Sequence, residues 1–230
     1  DVIHRNSLLM KQVYEAQYLH KVSQYDALCS QIKPHFLYNT LNTISLLIKC
    51  GESKDAILCI ENLSCFLRGI MNADKEIPFR EELSIVSSYL NLQKIRYGDR
   101  LSYNLSIGQN TENVSIPALS LQPLVENTIK HCCETSSAPV SILVTSEWDG
   151  NNLSIQVLDN GPGIPEETLL KITESLTREE TQDALTSSIG LINVHRRLRL
   201  HFGASSGLHI VSGAEGTTIT LTIPQNISRE

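Results

Sequence analysis

A proline and a histidine lie next to each other in a segment whose apolar residues recur with helical spacing. The segment covers residues 31–42 and contains Pro34 and His35. A proline within a helix costs about 3 kcal/mol relative to alanine, so we expect it to have a purpose. On an α-helix, His35, Asn39 and Asn42 share one face. The pattern therefore predicts a polar helix face that carries an imidazole.

Another face of this helix is apolar and carries Leu37, Leu41, Ile44 and Ile48. Imidazole has a neutral, nucleophilic nitrogen available near pH 7. Taken alone, His35 is best interpreted as an ordinary helix histidine whose hydrogen bonds are satisfied by Asn39. Motifs further along the chain favour a nucleophile instead.

Composition limits the class of protein. The chain has 230 residues, of which 41% are hydrophobic and 19% charged, as in one large or two small globular domains. Its formal net charge of -6 argues against nucleic acid as a partner, because binding to phosphate backbones requires a concentrated basic surface. The sequence has no signal peptide and no apolar run long enough to span a membrane. The cysteines have no metal-ligand spacing and are interpreted as reduced thiols: Cys29, Cys50, Cys59, Cys65, Cys132 and Cys133.

The first part of the chain predicts a coiled coil and a helical hairpin. Apolar residues alternate spacings of four and three, as in a helix that packs against a partner: Tyr18, Val22, Tyr25, Cys29, Ile32 and Phe36. The pattern stops at Gly51, and a second helix over residues 53–71 has the apolar face Ile57, Ile60, Leu63, Leu67 and Ile70. Two hairpins form a four-helix dimer, so a homodimer is predicted. Because Asp1 already lies close to this helical pattern, we expect the chain to be a piece of a longer protein.

Residues 74–78 break the helical pattern, and the chain changes character after them. The predicted helices are residues 80–97, 118–133 and 189–201, and the predicted strands are residues 101–107, 140–144, 153–158 and 219–223. The fold class is therefore α+β. A helical region for dimerisation over residues 1–76 precedes an α/β sandwich, one sheet with helices on one face, over residues 77–230.

One predicted helix in the second half has an edge suited to a metal ion and to phosphate. Glu126, Asn127, Lys130 and His131 lie within about one and a half turns of it. Asparagine offers a carbonyl oxygen to a hydrated Mg²⁺, and lysine and histidine offer donors to phosphate.

Two glycine-containing motifs follow this helix. Asp159 closes a predicted strand, where a carboxylate can accept a hydrogen bond from an exocyclic amine, and Gly161 and Gly163 let the backbone pass close to a base or a phosphate. Residues 188–191 open a helix, whose free N–H groups favour anions. Each motif alone is weak, since Asp-x-Gly-x-Gly is commonly just a turn. Their order, with the Ser/Thr/Glu-rich residues 173–188 between them, favours a nucleotide site.

At these residues the sequence resembles a known family. The segments similar to the ATP-binding boxes of the GHKL (Bergerat) fold are the Asn127 helix and residues 159–163, 188–191 and 216–218. The segments similar to the LytS/YesM-type sensor histidine kinases of bacterial two-component systems are residues 31–42 and 63–68, with Tyr89, Leu90 and Arg96. The resemblance covers roughly residues 25–224.

The resemblance implies a role for individual residues. His35 is expected to accept the γ-phosphoryl group of ATP, Asn127 to bind Mg²⁺ and Asp159 to read adenine. The other residues that it places around the nucleotide are Lys130, His131, Gly161, Gly163, Ser188, Gly190, Leu191 and, through water, Thr218. Residues 164–188 are expected to form a flexible lid over ATP.

Partners and location follow from the same resemblance. It implies a homodimer that uses ATP and Mg²⁺ and passes phosphate to an aspartate in the receiver domain of a response regulator. The coiled coil is expected to transmit a signal from a sensor region outside this sequence. The chain is then the cytoplasmic fragment of a bacterial cell-membrane protein.

Two positions depart from the family pattern. Ser188 replaces the first glycine of the usual Gly-x-Gly-Leu, which narrows the backbone choices by about 1 kcal/mol or less. Phe36 follows the histidine where many other histidine kinases have an acid, so Asn39 is the predicted residue that orients the imidazole.

Three functions remain open from the sequence. The first is the dimeric autokinase described above. The second is an ATPase of the gyrase, MutL or chaperone kind, in which Glu126 activates water. The third is an interaction module with a vestigial nucleotide site. The Pro34-His35 pair favours the first function, because ATPases of that fold have no need of it, and intact Asn127 and Asp159 argue against the third.

Overall fold

The computed structural model describes residues 34–72, 75–135, 137–177 and 189–225. Packing divides the chain into two compact units, with the division between Ala56 and Ile57. The predicted domain boundary after residue 76 stays a prediction, since packing and function need not divide a chain at the same point. The predicted coiled-coil seam lies almost wholly outside the described residues, which begin at Pro34.

The first described helix, α1, covers Pro34–Lys49. It ends as predicted near Gly51, whose φ of 82° lies in the left-handed region that glycine adopts without steric cost. The predicted apolar stripe is only partly buried: Ile44 is buried, whereas Leu41 and Ile48 are 52% and 59% exposed. Two large apolar side chains of the predicted stripe therefore face solvent in the single chain.

Helix α2 covers Ser53–Met71, the predicted bounds, but it is apolar on two sides. Leu63 and Ile70 of the predicted apolar face are buried, whereas Ile57 and Ile60 at its start are exposed in the single chain. The buried side also contains Ala56, Cys59 and Phe66. Helical periodicity alone does not separate two adjacent apolar faces, because each repeats with the same spacing.

The remaining elements form a mixed α and β unit. Its helices are α3 Phe79–Tyr97, α4 Gln122–Thr128, which continues into a π-helical turn Ile129–Cys133, α5 Glu166–Thr177 and α6 Ile189–Phe202. A 3₁₀ turn, Gly98–Arg100, follows α3. Its strands are β1 Glu76–Pro78, β2 Leu101–Ile107, β3 Ser115–Pro117, β4 Val140–Asp149, β5 Asn152–Asp159, β6 Gly207–Gly213 and β7 Gly216–Pro224.

Five strands form one sheet in the order β2-β4-β5-β7-β6. β2 runs parallel to β4, and the other neighbours are antiparallel. Alternate residues of the strands are buried, for example Leu153, Ile155 and Val157 of β5, because side chains of a strand point to opposite faces in turn. The predicted α+β class, with a sheet and helices in the second half, is confirmed. β1 and β3 form a separate antiparallel pair.

The segment predicted to be a flexible lid is partly regular. Residues 166–177 of that segment form α5, and Ile172 and Leu176 are buried. Residues 178–188, including Ser188, lie outside the described part of the chain. Within the described ranges, no helix combines the length and the apolar character needed to cross a bilayer.

Candidate nucleotide site and the His35 helix

Asp159 lies at the end of β5, directly opposite Thr217 of β7. Its Oδ1 accepts hydrogen bonds from the backbone N–H groups of Gly161 at 2.9 Å and Thr217 at 3.2 Å, and from the Cys132 thiol at 3.6 Å. Its Oδ2 accepts from Thr128 Oγ1 at 3.2 Å. A carboxylate has about four lone-pair directions, so Oδ2 retains one for a ligand while Oδ1 is fully used.

The two glycines after Asp159 are fixed by close packing. A Cβ atom on Gly161 would collide with the sulfur of Cys132, and one on Gly163 would collide with the carbonyl oxygen of Gly213. Gly163 also has a φ of 76°, which other residues rarely adopt. The N–H of Ile164 then donates to Ser212 Oγ at 2.8 Å. The loop is therefore held tightly against β6 where it leaves the sheet.

The helix that carries Asn127 faces this carboxylate from its C-terminal half, through Thr128 and Cys132. Glu126 and Asn127 are half-buried. Gln122 Nε2 donates to Glu126 Oε1 at 3.3 Å, which orients the carboxylate next to Asn127. The predicted residues Asn127 and Asp159 are thus carried by two elements in direct contact.

Lys130 and His131 lie in the π-helical turn that continues α4. The N–H of Glu134 bonds to the carbonyl oxygen of Ile129 at 3.3 Å, so this turn is one residue wider than an α-helical turn. Both side chains are exposed. They lie on the same helix as Asn127, but the π-helical turn changes their angular position relative to it. Sequence periodicity does not reveal this difference.

His35 lies on the exposed surface of α1. Asn39 Nδ2 is 3.1 Å from its Nε2 and 3.3 Å from its Nδ1. A neutral imidazole has one acceptor nitrogen, and Nδ2 lies at a similar distance from both ring nitrogens, so Asn39 restrains the position of the ring more than its tautomer. The imidazole is accessible, and the orienting role of Asn39 stays a prediction.

Two family models match the chain. The histidine kinase model matches residues 23–101, and the model for the histidine kinase-, DNA gyrase B- and HSP90-like ATPase matches residues 117–227. The chain belongs to the histidine kinase family. The ATPase match contains Asn127 and Asp159, and the histidine kinase match contains His35.

Several proteins are similar to this chain. Sensor histidine kinase YesM of Bacillus subtilis (strain 168) is 37% identical over 218 residues, which are 94% of this chain and 36% of that protein. Sensor protein LytS of Streptococcus agalactiae serotype V is 33% identical over 232 residues, which are 99% of this chain and 39% of that protein. The chain therefore spans well under half the length of these relatives. A solved histidine kinase domain of the blue-light activated kinase of Erythrobacter litoralis has a TM-score of 0.47 and 19% identity, covering 77% of this chain and 83% of that one.

The other predicted residues of this chain are distributed around α6 and β7. Gly190 lies beside Pro123 of α4, and Leu191 is buried. Thr218 pairs with Leu158 and therefore lies on the sheet face opposite that of Asp159. The role assigned to Thr218 stays a prediction. Thr217 is better placed for it, because it lies on the face of Asp159 and donates to it.

Sequence reasoning missed three donors to Asp159: Thr128, Cys132 and Thr217. Thr217 could have been found by pairing the two predicted strands in register, since Asp159 then faces it. The other two have only a weak signal, their position one turn apart on the helix that follows Asn127. Asn160 was also missed as an anchor: its Oδ1 accepts from the N–H of Ser141 at 2.7 Å.

The residues present fit a nucleotide with Mg²⁺. The free lone pair of Asp159 suits an exocyclic amine, and the half-buried Asn127 carboxamide suits a cation that keeps most of its ligands from water and phosphate. Within the described residues, no cluster of three or more His, Cys, Asp or Glu side chains forms an all-protein metal site. A Mg²⁺ held here would thus depend on the phosphates of the nucleotide.

We expect Cys132 to resist alkylation by iodoacetamide at pH 8, whereas the exposed Cys50 reacts. Burial, and then the negative charge of Asp159, raise the pKa of Cys132 to about 12. The thiolate is the reactive form, and its fraction rises about tenfold per pH unit. At pH 9, roughly three units below that pKa, only about 0.1% of the thiol is ionised. Mass spectrometry of alkylated peptides checks this, and modification of Cys132 at the rate of Cys50 would contradict it.

Proposed function

We propose that this chain is an ATP-dependent protein-histidine kinase that phosphorylates its own His35. The observation that supports the proposal is the presence, in one chain, of an accessible imidazole beside Asn39 and a site in which Asp159 keeps one acceptor for a base. The family matches support the same pairing, because each contains one of the two.

The proposed reaction is phosphoryl transfer from ATP. A ring nitrogen of His35 forms a bond to the γ-phosphorus while the bond from that phosphorus to the β–γ bridging oxygen breaks, and ADP leaves. The imidazole loses the proton of its other nitrogen to solvent. Such transfers depend on alignment and on charge neutralisation more than on covalent help from the protein.

The residues of the ATPase region would serve the reaction by binding and orienting ATP. Asp159 would hold the base, Asn127 would hold Mg²⁺, and Lys130 and His131 would contact ribose or phosphate. When bound, Mg²⁺ neutralises charge that develops on the phosphates. Glu126, oriented by Gln122, would assist at the phosphate end.

Incubation with γ-labelled ATP and Mg²⁺ tests the proposal. A phosphoramidate on histidine is labile in acid and persists in alkali, whereas esters of serine or threonine behave in the opposite way. We expect acid-labile label on the protein. Steady release of free phosphate without such label would instead support the ATPase function, in which Glu126 activates water. The absence of both label and phosphate release would support a non-catalytic interaction module.

We also propose that the chain is a homodimer through α1 and the start of α2. Four exposed apolar side chains on α1 support this: Tyr38, Leu41, Leu46 and Ile48. Ile57, Leu58 and Ile60 add to them on α2. Such a density of exposed apolar residues is unusual on a monomeric surface.

Replacing both Leu41 and Ile48 with aspartate is expected to weaken dimerisation by more than about 100-fold. Burying two such side chains contributes roughly 3 kcal/mol or more per chain, and aspartate removes this gain. Analytical ultracentrifugation at tens of micromolar measures the change. Leu200→Asp on α6 is the control, since Leu200 is 86% exposed. An unchanged dimer in the double variant, or a monomeric wild type, would contradict the interface.

The physiological partners are proposals that rest on the relatives. YesM and LytS are named as sensor proteins, which supports a sensor region elsewhere in a longer protein and a cytoplasmic location for this chain in a bacterial cell-membrane protein. The acceptor of the His35 phosphate is then the aspartate of a receiver domain. Transfer from labelled protein to a purified response regulator tests that step.

A further inference from the structure

Glu82 is a buried carboxylate in α3 that faces only donors. It has no solvent-exposed surface. Its Oε2 accepts from the N–H of Leu119 at 2.8 Å, and its Oε1 accepts from the N–H groups of Leu121 at 2.8 Å and Gln122 at 3.3 Å. A buried charge is costly unless it is fully hydrogen-bonded, so three donors on two oxygens indicate a residue retained for its contacts.

The three donors belong to the segment that leads into α4. Leu119 has a φ of 57°, a conformation that costs energy in a residue with a branched side chain. Arg197 of α6 donates to the carbonyl oxygen of Leu119 at 2.7 Å. Glu82 and Arg197 thus hold the N–H and the carbonyl group of one strained residue, Leu119, shortly before α4 begins.

The hydrogen bonds continue from this segment to the predicted phosphate end of the nucleotide site. Gln122 gives its backbone N–H to Glu82 and its side-chain Nε2 to Glu126. Glu126 precedes Asn127 in the sequence. The chain of contacts therefore runs from the Glu82 carboxylate through Gln122 to the side chains proposed to face Mg²⁺ and phosphate.

We infer that Glu82 is a positioning residue that sets the placement of Glu126 and Asn127 for Mg²⁺-ATP. This inference rests on the proposed function. The inference distinguishes the phosphate end of the site from the adenine end. Asp159, at the adenine end, is held by β5, β7 and the C-terminal half of the α4 helix. None of its described hydrogen-bond partners lies in residues 119–122. A loss of Glu82 should therefore affect the metal and phosphate end more than the adenine end.

The test is calorimetric titration of the whole chain with ATP plus Mg²⁺, and with ADP in the presence of a chelator. In Glu82→Gln, an amide N–H₂ replaces one acceptor and faces a backbone N–H, so the segment must shift. We expect Mg²⁺-ATP affinity to fall by about 10- to 100-fold, as for losses of outer-sphere support at metal sites. Affinity for metal-free ADP should stay within about twofold, since the base end keeps its contacts.

Glu81→Gln is the matched control, because Glu81 is the exposed neighbour in the same helix and the same carboxyl-to-amide replacement is made. It should bind both nucleotides as the wild type does. Equal losses for both nucleotides in Glu82→Gln, or a lowered melting temperature with unchanged Mg²⁺-ATP binding, would overturn the positioning role.

If Glu82→Gln does not fold, Glu82→Asp takes its place. It keeps the charge but is one methylene shorter, so it cannot reach both N–H sets, and the same selective loss is expected at smaller size. Wild-type Mg²⁺ dependence in Glu82→Asp would overturn the inference. A wild-type chain that does not bind Mg²⁺-ATP would overturn the proposed function itself, whereas a binding wild type with an unaffected variant overturns only the role of Glu82.

Discussion

Replacing His35 with alanine is expected to abolish acid-labile labelling by γ-labelled ATP while nucleotide binding stays unchanged. His35 is exposed, and its side chain contacts Asn39 one turn further along the same helix, so its removal should leave the fold intact. Loss of the nucleophile removes the reaction itself, which corresponds to a decrease of at least about 10³-fold. Scintillation counting after acid and alkaline treatment measures the label, and calorimetry measures binding.

His209→Ala is the control for this variant, because His209 is also exposed but lies on β6. It should label like the wild type. Label that persists in His35→Ala would move the acceptor to another of the seven histidines. Continued release of phosphate without any label on the protein would support the ATPase function instead of the kinase function.

Replacing Asp159 with asparagine is expected to lower ATP affinity by about 100-fold without unfolding the protein. The new carboxamide can keep its oxygen at the Oδ1 position, where it still accepts from Gly161 and Thr217. Its N–H₂ then occupies the Oδ2 position and presents a donor to the amine of adenine. Exchanging a charge-assisted hydrogen bond for two opposed donors costs roughly 3 kcal/mol.

Asp149→Asn provides the control, since Asp149 is an exposed residue at the end of β4. Calorimetry with ATP and a thermal melt separate binding from stability. Wild-type ATP affinity in Asp159→Asn would show that Asp159 does not read the base. A large fall in melting temperature would show that its hydrogen bonds serve mainly the fold.

Elements with strong local signals were predicted well. The bounds of α2 and β2 are those expected, because an amphipathic repeat or an alternation runs between clear breaks. Strand β6 was missed, since the adjacent Ile210 and Val211 interrupt its alternation and its Gly207–Gly213 sequence begins and ends in glycine. Helix α5 was hidden in a segment whose polar composition resembles a loop, although Ile172 and Leu176 anchor it.

The sequence names candidate site residues where one residue type suits the chemistry, as for Asp159 and Asn127, and their roles stay predictions. Such residues were not predicted where a contact joins distant parts of the sequence. Glu82 reads as one of several charges on an amphipathic helix, yet it meets partners 37 to 40 residues away. Which face of α3 is buried decides this contact, and that depends on packing across the whole unit.

The π-helical turn Ile129–Cys133 has a consequence for how such a site can diverge. A π turn is an α-helical turn with one residue added. Because the extra residue is absorbed within the turn, deleting one residue from it would restore α-helical spacing while the chain after Cys133 keeps its path. Lys130 and His131, which lie inside the turn, would then take α-helical positions relative to Asn127. Helix length, rather than residue substitution, would be the variable through which the proposed phosphate contacts change.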